Sequence, residues 1–348
     1  MRPSHLSLVL DREFESASNG QHTPVMIWGP PGVGKSEIIA QVASRHAVPL
    51  IDIRLSQLEP SDLRGIPFRN GANVEWAIPS MLPDAERHGA KGILFLDEMT
   101  SASPTVSAAA YQLILDRALG DYRIPEGWAI FAAGNRQGDR GVTYTMPAPL
   151  ANRFSHFEFD VNIDDWVAWA YRQQLDERVI AFLRFRPELL FDFDPAQTPI
   201  AFPSPRSWEF AHRALGKFGN DAAVLPGCLQ ACVGSAAAIE LTAYIDNFDK
   251  LPDIDAILAG EDVAVPDSID LQYALASALV GRAAQSSERE DGAGILGRVL
   301  VFASRFGQRE MGVMLVSDLH RAVGEKLFEV PEFADWAEQV ADVMLYDG

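Results

Sequence analysis

Eight consecutive residues, Gly29-Pro30-Pro31-Gly32-Val33-Gly34-Lys35-Ser36, have the types and spacing to hold a chain of phosphates. The glycines let backbone N–H groups converge on phosphate oxygens. A helix that begins near Lys35 adds the positive end of its dipole, and the Lys35 ammonium reaches the β- and γ-phosphates. Ser36 supplies a hydroxyl for magnesium. A glycine, four residues and then Gly-Lys-Ser/Thr arise by chance in a chain this long roughly one time in a hundred. Here the pattern stands between a strand-like and a helix-like segment, the context it requires.

Further along, the apolar run Ile93-Leu94-Phe95-Leu96 ends in Asp97-Glu98. Two carboxylates at the mouth of a parallel sheet suit a magnesium-dependent hydrolase: Asp97 holds the metal, largely through water, and Glu98 orients and polarises the attacking water. The next apolar run ends in Ala133-Gly134-Asn135, which sets an amide beside the same place, to bind the γ-phosphate or position the water. Taken alone, Asn135 after a glycine is a turn residue. Pro147-Ala148-Pro149-Leu150-Ala151-Asn152-Arg153-Phe154 then carries an arginine into a last strand.

These groups meet only if the strands that carry them lie parallel with helices between them. The pattern supports that, with strands over residues 24–28, 48–55, 92–97, 128–133 and 155–161 and helices over 36–46 and from Ser103-Pro104 to about Leu119. A further helix is expected over 4–17, a hairpin over Ile66 to Ile78 and a short helix from Ser80. Beyond about residue 165 the strand pattern stops, and segments 164–184, 205–217, 227–247, 268–284, 292–306, 309–328 and 330–345 read as helices. Linker-like stretches at Phe191 to Pro205 and Phe248 to Pro266 suggest an α/β core over 1–165, a helical subdomain over 166–247 and a helical C-terminal segment over 248–348.

The chain of 348 residues is 48% hydrophobic and 22% charged, the balance of a folded, soluble protein. It contains no apolar run of the roughly 18 residues needed to cross a bilayer, and the expectation is a cytoplasmic protein with no membrane partner. Net charge is −19, with 14 basic and 20 acidic residues up to position 165 and 15 basic and 28 acidic residues after it. Nucleic-acid binding leaves a basic footprint, so this balance argues against DNA or RNA as the partner. Cys228 and Cys232, four apart in a helical run with no further ligand nearby, read as a pair of buried thiols.

The order of these parts resembles that of the AAA+ ATPases, and residues 20 to 215 resemble the MoxR branch. The motifs GPPGVGKS, GILFLDEM, IFAAGNR, PAPLANRF and Ser204-Pro205-Arg206-Ser207-Trp208-Glu209 follow the family order and spacing. Asp62 to Pro83 looks like the segment these proteins insert around their second helix. The resemblance implies a P-loop NTPase parallel sheet, an AAA+ core, with residues 166–247 as its α-helical lid. It implies ATP and Mg2+ as cofactors and hydrolysis of ATP to ADP and phosphate. It also implies a ring of copies of this chain, a hexamer, that remodels a protein client with a von Willebrand factor A domain protein as partner. Asn135 matches the sensor 1 residue, Arg206 the sensor 2 residue on the lid, and Arg153 the arginine finger that reaches the γ-phosphate of the neighbouring subunit. Arg136 and Arg140 are either second interface arginines or surface charge. The resemblance thins after about residue 250. Alternatives are an AAA+ motor on nucleic acid, a small-molecule kinase sharing only the phosphate loop, and a nucleotide-regulated scaffold with little turnover. Asp97-Glu98 together with the later Asn135 and Arg153 speaks against the kinase, and an intact Glu98 against the scaffold.

Overall fold

The computed structural model describes residues 1–139, 143–196, 200–289 and 291–344. Two compact units divide the chain, Met1–Val161 and Asn162–Gly348.

The first unit runs α1 (Pro3–Ala17), β1 (Val25–Trp28), α2 (Lys35–Arg45), β2 (Leu50–Arg54), α3 (Pro60–Arg64), β3 (Ile66–Asn70), β4 (Asn73–Ala77), α4 (Ala85–His88), β5 (Lys91–Asp97), α5 (Pro104–Asp116), β6 (Ala118–Leu119), β7 (Tyr122–Arg123), β8 (Gly127–Gly134), α6 (Ala148–Ala151) and β9 (Ser155–Glu158). Five strands form a parallel sheet in the order β2-β5-β8-β1-β9. Its central strands are apolar throughout because helices cover both faces: Ile93 to Leu96 and Trp128 to Ala133 are fully buried. Alternate residues face opposite sides, so Met26, Leu94, Leu96, Ile130 and Ala132 pack against Val106, Ala110, Leu113 and Ile114 of α5 in one continuous core. Ser103 caps α5 as its composition suggests, its hydroxyl accepting from Val106 N at 3.4 Å.

Two expectations shift here. The helix after Ser80 begins only at Ala85, where Asp84 caps it by accepting from Glu86 N and Arg87 N. The helix from Pro104 stops at Asp116, and Arg117 turns left-handed into the small β6–β7 hairpin, which had read as the helix's last turn.

The second unit contains only helices among its described residues: α7 (Ile163–Arg172), α8 (Glu177–Phe185), α9 (Pro205–Phe218), α10 (Leu225–Val233), α11 (Ser235–Ile245), α12 (Ile254–Ala259), α13 (Ile269–Ser286), α14 (Gly292–Ala303), α15 (Arg309–Val323) and α16 (Glu332–Met344), with short 3-10 turns between some of them. The single helix expected over 164–184 is two, because Gln174 is left-handed and Asp176 caps a new start at Arg178 N. That over 227–247 is also two, split at Gly234, whose φ is +84°. The segment 309–328 changes from α-helix to a 3-10 turn at Gly324, and α12 lies inside a stretch that had read as linker. Arg184 pairs with Asp318, both buried, and with Asp164, joining α8 and α15 across residue 248. Cys228 and Cys232 are free and half-buried rather than buried, so the reading as core thiols is corrected. No described helix is long and apolar enough to cross a membrane.

His22 leads into β1, and its ring ties that strand's start to its neighbours: Nε2 accepts from Ile130 N at 2.8 Å, and Nδ1 lies 3.1 Å from the Glu13 carbonyl. Burial holds this imidazole below its ordinary 6.5, with Glu13 opposing and Arg117 adding to the shift. The unfolded chain therefore takes up the proton first as pH falls. The stabilisation is complete above the unfolded value and is lost as pH drops through the folded one. The melting temperature should fall below about pH 6.5, and His22→Gln should flatten that fall. An equal fall in the variant assigns the pH dependence to other groups.

Candidate functional site

The sheet delivers its chemistry at one edge. Parallel strands end together, and β1, β5 and β8 release Gly29, Glu98 and Asn135 at the same side. Gly32 and Gly34 adopt φ of +81° and +109°, a conformation that turns successive N–H groups inward and that a Cβ would strain. Gly34 then stands at the N-terminus of α2. Gly29 N donates to the Gly134 carbonyl at 3.3 Å, so the loop's first residue is fixed to the end of β8.

Within this frame Lys35 Nζ donates to the carbonyls of Gly29 (2.6 Å) and Pro30 (2.9 Å) and to Asn135 Oδ1 (3.2 Å). Ser36 Oγ donates to Asp97 Oδ2 at 2.9 Å. The structure thus brings Gly29 to Ser36, including Pro30, Pro31 and Val33, together with Asp97, Glu98 and Asn135. Among the described residues, no three His, Cys, Asp or Glu side chains converge as an all-protein metal cage. A hydroxyl and a carboxylate in contact fit magnesium, which keeps several waters and takes one or two carboxylates plus substrate phosphates.

Glu98 has an unusual backbone for its type, left-handed at φ 55° and ψ 34°. Such a conformation costs on the order of 1 kcal/mol or more and needs local support. Asp97 Oδ1 accepts from Glu98 N at 2.8 Å, Ser101 N donates to the Glu98 carbonyl at 2.9 Å, and the Ser56 hydroxyl donates to Glu98 Oε2. Nearby on β2, Asp52 is raised above the usual carboxylate range, by burial first and then by Asp97, with Arg54 opposing and Glu98 adding. Asp97 and Glu98 therefore act on Asp52 as nearby negative charges.

Two residues that sequence patterns did not single out complete the arrangement. Ser56 follows β2 in a loop, and only the fold brings it to Glu98. Thr100 is buried beneath Asn135, its hydroxyl accepting from Asn135 N and donating to the Asn135 carbonyl, both at 3.1 Å. A Cβ on Gly134 would meet Met26 Cε and Thr100 Oγ1 at 2.8 Å, so this glycine permits the close approach.

The arginines are more dispersed. Arg153 follows α6 and is exposed; its backbone N–H donates to the Leu150 carbonyl at 2.9 Å, while its side chain has no hydrogen bond or ion pair among the described residues. Leu150 and Phe154 on either side of it are buried in the core that also holds Met26. Arg136 is engaged locally by Asp139 and Glu158, while Arg140 lies outside the described residues. Arg206 belongs to the helical unit, exposed in the first turn of α9, where the helix dipole disfavours a cation. Ser204 and Ser207 fix that turn through a reciprocal cap.

Residues 25–162 match the model of the ATPase family associated with various cellular activities, AAA. The chain carries an AAA ATPase domain. Over 155 residues it is 29% identical to protein NorQ of Paracoccus denitrificans, covering 42% of this chain and 56% of NorQ. A stretch of 148 residues is 29% identical to midasin of Giardia intestinalis, covering 40% of this chain and 3% of midasin. The chain therefore spans about half the length of NorQ and a small part of midasin. The RuvB Holliday junction branch migration motor of Thermotoga maritima aligns at 15% identity over 93% of this chain and 86% of its own, with a TM-score of 0.36.

Thr100 yields a prediction about the AAA site. Thr100→Val keeps the volume and removes the hydroxyl, leaving the Asn135 N–H without its partner at a cost of about 1–3 kcal/mol. ATP turnover should fall while ATP affinity, carried by Lys35 and the loop, stays near wild type. Unchanged turnover would show that Asn135 does not need this support.

Proposed function

We propose that this protein hydrolyses ATP to ADP and phosphate with magnesium, at a site completed by a neighbouring copy of the chain in a ring. The observation that carries the reading is the convergence of Lys35, Ser36, Asp97, Glu98 and Asn135 at one sheet edge. The loop N–H groups and the α2 terminus bind the phosphates, and Lys35 exchanges its carbonyl partners for β- and γ-phosphate oxygens. Ser36 and Asp97 would hold magnesium, which would supply charge neutralisation to the phosphates. Glu98 turns from the Ser56 hydroxyl to accept a hydrogen bond from the attacking water, and Asn135 fixes the water or the γ-phosphate. The water oxygen bonds to the γ-phosphorus as the bond to the ADP oxygen breaks. Arg153 of the neighbouring copy stabilises the charge on the transferring group, and Arg206 closes on the nucleotide from the helical lid over 166–247. Exposure and the absence of a described partner support the role of Arg153, since an arginine that serves another chain's site cannot be bound within its own.

Lys35→Ala should lose ATP affinity, whereas Glu98→Gln should bind ATP and magnesium and stop turnover. Nucleotide titration and phosphate release read the two effects separately. Wild-type hydrolysis by Glu98→Gln would overturn the assignment of the water-orienting residue, and removal of magnesium should abolish turnover in the wild-type chain.

The same reading extends to a protein client. Here the support is the MoxR resemblance together with the acidic second half of the chain, which offers carboxylates to a partner such as a von Willebrand factor A domain. Such a ring, hexameric by resemblance, would act from the cytoplasm. Removing residues 268–348 should abolish capture of an A-domain partner encoded beside this gene while ATP binding persists. Equal recovery of the partner by a folded, truncated chain would exclude the C-terminal helices from docking.

A further inference from the structure

His156, on β9, makes side-chain hydrogen bonds both to β1 and to the end of α6. The Trp28 indole N–H, which can only donate, points at His156 Nδ1 at 2.9 Å. Nδ1 is therefore the acceptor, and the ring proton sits on Nε2, which lies 2.8 Å from the Ala151 carbonyl and donates to it. The two rings are stacked with centroids 5.9 Å apart and an interplanar angle of 28°. Trp28 is the last residue of β1 and directly precedes Gly29, the first glycine of the phosphate loop. Its own carbonyl accepts from Phe159 N at 2.8 Å, and Phe159 lies against Gly29 and Gly34. At the other end of the link, Ala151 is the last residue of α6 and stands two positions before Arg153.

We propose that His156 is a positioning residue that ties the turn carrying Arg153 to the strand carrying the phosphate loop, so that each subunit's exported arginine is aligned to its own nucleotide site. The proposal deepens the shared-site reading and rests on it. The α6 helix is one turn long, too short to hold an orientation by itself. Leu150 and Phe154 anchor it in the core, but the Ala151 carbonyl at its end is held by His156 and, at 3.2 Å, by Phe154 N. Loss of the ring leaves Arg153 at the end of a turn with one carbonyl contact fewer. It also leaves the Trp28 indole N–H without its acceptor, while the backbone pairing of β1 with β9 remains. A displacement of a charge-stabilising group by about 1 Å costs up to about 100-fold in rate.

The test uses full-length chains in which the defect can be assigned to one side of an interface. His156→Ala should lower kcat roughly 10- to 100-fold with ATP affinity near wild type. Trp28→Phe, which retains a ring and removes only the N–H, should lower it less, in the same direction. In equal mixtures of His156→Ala with Glu98→Gln, roughly a quarter of the interfaces pair an intact Glu98 site with an arginine from a subunit whose His156 is intact. Those interfaces should recover wild-type turnover, because the His156 defect lies in the arginine a subunit exports. Mixtures of Arg153→Ala with Glu98→Gln, made in parallel, test the shared site itself. Rescue with Arg153→Ala but none with His156→Ala would overturn the positioning role, as would loss of ATP affinity in His156→Ala and Trp28→Phe alike. Absence of rescue in both mixtures would overturn the shared-site reading and this proposal with it.

Discussion

Every functional contact described here depends on parallel pairing in the centre of one sheet. Because β1 lies between β8 and β9, with β5 beyond β8, the strand ends that carry the phosphate loop, the Asp-Glu pair and Asn135 open at the same edge. A parallel sheet requires helices on both faces, and the continuous apolar runs of β5 and β8 are the sequence consequence. An antiparallel β5 would put Asp97 at the opposite edge, and no rearrangement of side chains could restore its contact with Ser36.

The charges at that edge are arranged against one another. Lys35 is held by two carbonyls and an amide, Ser36 by Asp97, and Glu98 by Ser56. Hydrogen bonds to charged groups are worth about 1.5–3 kcal/mol each, so exchanging these partners for phosphates, magnesium and water is a trade between comparable terms. The backbone geometry does not have to change: the left-handed glycines and the left-handed Glu98 are already in place. Pre-formed donors of this kind avoid reorganisation when charge develops on the γ-phosphate.

Much of this was legible in the sequence where a residue's role is local. Glycine spacing, a lysine and serine opening a helix, and an apolar run ending in two carboxylates each have one physical reading, and the five strands fall where those runs are. Ser56 and Thr100 were not legible, because a hydroxyl in a loop gains its meaning from a partner far along the chain: Glu98 is 42 residues from Ser56, and Asn135 is 35 from Thr100. The role of His156 is not legible for the same reason, since its partner Trp28 is 128 residues away. Among the helices, Gly234 was a visible break that periodicity overrode. The break at Gln174 has no glycine or proline, and only the cap at Asp176 marks the restart. Arg117 likewise leaves α5 with no breaker of its own, followed by Gly120 in the turn of the small hairpin.

The central claim is that one chain holds an incomplete site and a second copy finishes it. Its most direct test is the specific ATPase activity of the wild-type protein across a dilution series, with oligomeric state followed by sedimentation at each concentration. The account predicts that turnover per chain collapses as the assembly dissociates and rises with the fraction of oligomer, while nucleotide affinity changes much less. Constant turnover per chain down to fully monomeric protein would contradict it.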